Sequence, residues 1–98
     1  MPAVRIKKIT ICGFGLIGGC LALDFQKSNS KIKIFAFDRP GVLNRLSQYK
    51  VFRVTCEPNF EKGVSHSDII VLSAPHHANE QMLVRLAKAK TLTDCLIV

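Results

Sequence analysis

The stretch Ile9-Thr10-Ile11-Cys12-Gly13-Phe14-Gly15-Leu16-Ile17-Gly18-Gly19 restricts the folds open to this chain more than any other. Its first residues are β-branched and apolar, as in a strand buried on both faces. From Leu16 to Lys27 the length and the leucines suit a helix. Between them lie four glycines within seven positions, although glycine weakens helix and strand alike. Glycine at such a join has a use where the backbone turns sharply or where something must approach it closely. A strand, a glycine turn and a helix in that order begin a βαβ unit.

The rest of the chain continues the alternation. Lys31 to Phe37 reads as a second strand, and Pro40 to Gln48 as a short helix opened by proline. Val51 to Thr55 is expected as a short third strand. Phe60 and Val64, four apart, suggest one or two helical turns. Asp68 to Leu72 is a continuous apolar strand. Ala78 to Lys90 is the clearest helix, with Met82, Leu83, Leu86 and Ala87 as its apolar stripe. Glu80 near its start and Lys88 and Lys90 near its end suit the helix dipole. Cys95 to Val98 begins another strand. The order predicts an α/β fold: a Rossmann-type, doubly wound parallel sheet with right-handed crossovers, cut off after about five strands. Because the chain stops inside an apolar strand, we expect a fragment of a longer enzyme. Residues 1–98 would form one nucleotide-binding domain. An incomplete sheet would also expose apolar surface, so self-association is expected.

Gly13 to Gly18 form G-x-G-x-x-G, a weak signal alone. Its context strengthens it, because Asp38 ends the second strand 20 residues after Gly18, the spacing of a dinucleotide site. Gly13 would let the chain leave the strand sharply. Gly15, without a Cβ, would admit a pyrophosphate, and Gly18 would let helix and strand pack closely. The first-turn N–H groups and the helix dipole would stabilise the phosphate charge. Asp38 would accept both ribose hydroxyls and repel a 2′-phosphate, which favours NAD over NADP. Arg39 keeps NADP open, since a guanidinium can pair with that phosphate or stack on adenine. Ser73, Ala74 and Pro75 follow the fourth strand and would pass beside the nicotinamide half. His76 and His77 read as surface loop residues, with substrate binding or proton transfer as the alternative.

Composition narrows the partners. Fourteen Lys and Arg against seven Asp and Glu give +7, which favours an anionic ligand. The basic residues are scattered, with neither an aromatic-interleaved basic strand nor a recognition helix, so nucleic acid is not the expected partner. No apolar run approaches the roughly 18–20 residues of a membrane span, and no signal-peptide cleavage pattern is present, so a cytoplasmic location is expected. Cys12, Cys20, Cys56 and Cys95 form no C-x-x-C pair and read as buried, reduced thiols; no metal site is expected.

The stretch from Ile9 to Leu23 resembles the nucleotide-binding start of prephenate and arogenate dehydrogenases, whose turn typically reads G-x-G-L-I-G-G-S. Phe35-Ala36-Phe37-Asp38-Arg39 is similar to that family's second strand, and Ser67 to Pro75 to its fourth strand and following loop. The resemblance runs from Ile9 to Val98. It implies an oxidoreductase of tyrosine biosynthesis, which oxidises prephenate or arogenate with decarboxylation and passes a hydride to NAD or NADP. It places Gly13, Phe14, Gly15, Leu16, Ile17 and Gly18 along the pyrophosphate, Asp38 and Arg39 at the adenosine ribose, and Ser73, Ala74 and Pro75 on the nicotinamide side. It also implies a homo-oligomer. The family's motif after the fifth strand, its catalytic histidine and its helical substrate domain have no counterpart here. No catalytic residue is therefore assigned, and the 98-residue chain alone is expected to be inactive. Cys20 stands where the family usually has serine. Two other readings share the turn. One is a non-catalytic nucleotide-sensing domain like those on potassium transporters, although Thr55-Cys56-Glu57-Pro58 lacks their Gly-Asp. The other is the cofactor half of an imine, β-hydroxyacid or pyrroline-type dehydrogenase.

Overall fold

The computed structural model describes residues 6–28, 31–89 and 95–98. Among the described residues five parallel strands form one sheet: β1 (Lys8–Cys12), β2 (Lys33–Phe37), β3 (Thr55–Cys56), β4 (Ile69–Leu72) and β5 (Leu96–Ile97). Four helices among the same residues connect them: α1 (Leu16–Ser28), α2 (Pro40–Leu46), α3 (Phe60–Val64) and α4 (His76–Lys88). The spatial order is β3-β2-β1-β4-β5. The chain winds outward from β1 to β3 and then crosses to β4. The loops after β1 and β4 therefore diverge and open a crevice between them, the place where such sheets take ligands.

The central strand is buried on both faces because its side chains alternate between two cores. Ile9 and Ile11 face α1 and α2 and pack with Ala22, Ile34, Ala36, Leu43 and Leu46. Cys12 and Ile70 face α3 and α4 and pack with Phe60, Val64, Met82 and Leu86. Thr10 shares this second side and is fully buried. Its hydroxyl lies 2.7 Å from the Gly63 carbonyl and 2.7 Å from the Ser67 hydroxyl. Burial therefore leaves its polar group paired.

Most expected elements are present, and the exceptions have local causes. The third strand is Thr55–Cys56 rather than Val51 to Thr55. The Gln26 side chain donates to the Val51 carbonyl at 2.7 Å and accepts the Arg53 N–H at 3.0 Å, so this backbone bonds to α1 instead of the sheet. Helix α4 starts at His76, two residues before the expected start, and Lys90 lies outside the described residues. Of its expected stripe only Met82 and Leu86 are buried; Leu83 and Ala87 are exposed, since the face that packs with Phe60, Val64 and Ile70 carries Met82 and Leu86, four residues apart. The cysteines are free, but only Cys12 is buried: Cys20 is exposed on the outer side of α1, and Cys56 and Cys95 are half-buried.

Candidate functional site

Strand register assembles the site. Cys12 pairs with Phe37 on one side and Leu72 on the other, so Gly13, Asp38 and Ser73 leave the sheet side by side. Gly13 has φ +93°, a region that L side chains rarely adopt, and a Cβ there would lie 2.6 Å from the Ala74 Cα. Its N–H donates to the Phe37 carbonyl at 2.9 Å, and its carbonyl accepts the Ser73 hydroxyl at 2.5 Å. The turn is thus tied to both neighbouring strands. A Cβ on Gly18 would meet the Gly13 carbonyl at 2.6 Å, which makes glycine the condition for α1 to start this close to the sheet. Nothing lies within 4 Å of a Cβ built on Gly15. This open backbone is where a bulky anion can approach. The Gly19 N–H donates to the Gly15 carbonyl at 2.9 Å, so the N–H groups of Leu16, Ile17 and Gly18 fall in the first turn, which lacks intrahelical acceptors.

Asp38 points at the turn. One carboxylate oxygen accepts the Phe14 N–H at 2.7 Å and the other the Arg39 N–H at 2.7 Å. Each oxygen keeps a lone pair for a further donor. The Arg39 guanidinium lies 4.0 Å from the carboxylate and is otherwise exposed. Beneath the site, burial pushes the Cys12 thiol up to about 12, aided by the Asp38 charge. That thiol stays protonated.

A cleft of about 850 Å³ opens above these groups. This volume lies within the range of small-molecule sites. Gly13, Phe14, Gly15, Asp38, Arg39, Ser73, Ala74 and Pro75 all line it. The other candidates stand elsewhere. Leu16 and Ile17 are 85% and 68% exposed, Leu16 edges a separate hollow beside Tyr49 and Phe52, and Gly18 is buried at the helix–sheet contact. The Phe14 side chain turns down into the core, edge-to-face with Phe52 at 5.2 Å, so it can offer a ligand only its backbone. His76 and His77 are helical and do not line the cleft; His76 pairs with Glu80 at 2.9 Å and His77 with Gln81 at 3.3 Å.

The far wall escaped the sequence reading. Val42 and Arg45 of α2, Pro58, and Ala78, Gln81, Met82 and Arg85 of α4 complete the cleft. Ala78, Met82 and Arg85 recur at helical spacing and could have marked a second face of α4, but Met82 belongs to the core stripe as well. Pro58 carried no signal. Among the described residues, no group of three or more His, Cys, Asp or Glu could hold a metal, and no helix is long and apolar enough to cross a membrane.

A family model described as NADP oxidoreductase coenzyme F420-dependent matches residues 8–98. A prephenate dehydrogenase of Lactococcus lactis subsp. cremoris (strain MG1363) is 32% identical over 82 residues, covering 84% of this chain and 23% of that protein. Among solved structures, a prephenate dehydrogenase from A. aeolicus, in complex with hydroxyphenyl propionate and NAD+, superposes with a TM-score of 0.79 at 20% identity, over 98% of this chain and 34% of that one. Glycerol-3-phosphate dehydrogenase from Saccharomyces cerevisiae superposes with a TM-score of 0.68 at 14% identity, over 95% of this chain and 33% of that one. The chain thus spans about a quarter of the curated relative (23%) and about a third of the solved one (34%).

Proposed function

The chain belongs to the family described as NADP oxidoreductase coenzyme F420-dependent, and from this premise we propose which ligand its cleft takes and which reaction it serves. It is an NAD(P)-binding domain resembling that of prephenate dehydrogenase. In our reading the pyrophosphate rests on the bare backbone at Gly15, facing the first-turn N–H groups of Leu16, Ile17 and Gly18. Asp38 takes the adenosine ribose hydroxyls, with Arg39 beside it. Ser73, Ala74 and Pro75 border the nicotinamide side. The cofactor is NAD in preference to NADP, because a 2′-phosphate would face the Asp38 carboxylate.

The observation that carries this reading is the Asp38 carboxylate joined to the Phe14 N–H at 2.7 Å, which sets a ribose acceptor beside the glycine turn. Bound there, the nicotinamide supplies a hydride acceptor. This chain's own residues bind and orient it: backbone N–H groups hold the charge, and Asp38 fixes the sugar. The substrate in the protein that carries this domain is prephenate or arogenate, oxidised with loss of carbon dioxide. That protein is cytoplasmic and homo-oligomeric.

Calorimetric titration tests the binding. Saturable binding of NADH, weaker binding of NADPH, and loss of that preference in Asp38→Asn are expected. A titration that does not saturate at millimolar NADH overturns the reading.

A further inference from the structure

The cleft carries three arginines in different electrical surroundings. Arg39 is 86% exposed on its side chain, and among the described residues no ion pair involves Arg45. Arg85 is held. One of its terminal nitrogens, Nη2, donates to both carboxylate oxygens of Glu61 at 2.6 Å. Its guanidinium carbon stands 4.4 Å over the centroid of the Phe60 ring. Phe60 is buried and packs edge-to-face on Phe37 at 5.2 Å, and Phe37 lines the cleft. A ring beneath and a carboxylate at one corner therefore orient the guanidinium plane, while Nη1 and Nε keep their N–H groups for another acceptor. The Arg85 hydrogen bond also holds the Glu61 carboxyl below the usual carboxylate range. The pair is solvent-exposed, and such pairs contribute little to folding. Its effect is one of orientation.

We propose that Arg85 is a specificity-determining residue of the cofactor cleft, pinned by Glu61 and Phe60 so that its remaining N–H donors meet the adenine end of the dinucleotide. The inference rests on the dinucleotide reading above. Besides the glycine turn and Asp38, the same cleft is lined by Pro40 and Val42 of α2, by Pro58, and by Met82 and Arg85 of α4. Pro40, Val42, Pro58 and Met82 offer apolar surface to a flat base, whose ring nitrogens are acceptors. With its charge balanced by Glu61, Arg85 competes weakly for the pyrophosphate, leaving that anion to the glycine turn.

Calorimetry on the protein carrying this chain separates the possibilities, with NADH, ADP-ribose and reduced nicotinamide mononucleotide as ligands. Arg85→Ala should weaken NADH and ADP-ribose by about tenfold, the loss of one charge-assisted hydrogen bond. The mononucleotide, which lacks adenosine, should bind unchanged. Arg85→Lys keeps the charge without the planar fork and should weaken the same two ligands. Lys88→Ala removes the same charge from the same helix and should change none of them. Should Arg85→Ala fail to fold, Arg85→Lys and Glu61→Gln carry the measurement, and each should weaken only the adenosine-bearing ligands. Equal losses for all three ligands, full rescue by lysine, or no loss at all would overturn the assignment of Arg85. Wild-type protein that binds neither NADH nor ADP-ribose would remove the dinucleotide reading itself.

Discussion

Gly13 shows how much one residue type can decide. Its φ of +93° and the adjacent Ala74 backbone leave no room for a side chain, so the strain and the clash act together. Gly13→Ala should destabilise the domain by more than ~1 kcal/mol, measurable by urea denaturation. Gly15→Ala is the informative contrast, because its Cβ would enter open space. Stability should change little while dinucleotide affinity falls. The cysteines make a second residue-scale test. Cys20 is exposed, whereas the Cys12 thiol is buried and pushed up to about 12. Reaction with iodoacetamide at pH 8, read by mass spectrometry, should label Cys20 and spare Cys12 until the protein unfolds.

At the scale of elements, α3 is too short to hold itself in place. Its buried Phe60 and Val64 and polar contacts to the sheet together fix it: the Thr10 hydroxyl lies beside the Gly63 carbonyl and the Ser67 hydroxyl, and the Lys8 ammonium donates to the Ser65 carbonyl at 2.6 Å. Thr10→Val keeps the shape but leaves the Ser67 hydroxyl and the Gly63 carbonyl only their mutual contact at 3.4 Å, and should cost about 1 kcal/mol in chemical denaturation. At the other end of the same loop Asp68 accepts the N–H groups of Lys7 at 2.7 Å and Lys8 at 3.0 Å, which tie the entry of β1 to β4. These backbone bonds hold its carboxyl below the ordinary value of 3.8. A folded-state pKa below the unfolded one adds stability that is complete above the unfolded value and is lost as pH falls through the folded one. Wild type should therefore exceed Asp68→Asn in stability at neutral pH. The gap should close in acid, below the ordinary carboxylate value, as denaturation midpoints across pH would show.

For the molecule as a whole, charge and an open edge set the behaviour. Arg39 and Arg45 line the cleft in a chain of net charge +7, so dinucleotide affinity should fall as salt rises. At the opposite side of the sheet from β3, the edge strand β5 and the residue after it present Leu96, Ile97 and Val98, which are 59%, 40% and 66% exposed. An apolar edge of this kind invites pairing. The 98-residue chain should self-associate in sedimentation at high concentration; a clean monomer throughout would contradict this.

Local chemistry made the fold and half the cleft legible. The alternation of strand and helix, the glycine turn and the carboxylate ending β2 depend on short-range geometry: periodicity, backbone sterics and a strand-end position that register carries to the turn. The lapses came where one segment could satisfy two partners. Val51 to Arg53 has the composition of a strand, yet Gln26, a residue of α1, takes its backbone groups. Leu16 and Ile17 belong to the motif, but only the packing of α1 decides that their side chains face solvent. The wall made by Arg45, Pro58, Met82 and Arg85 draws on three separate segments. Such convergence depends on how helices settle on the sheet, a property of the assembled tertiary structure that no single stretch of sequence carries.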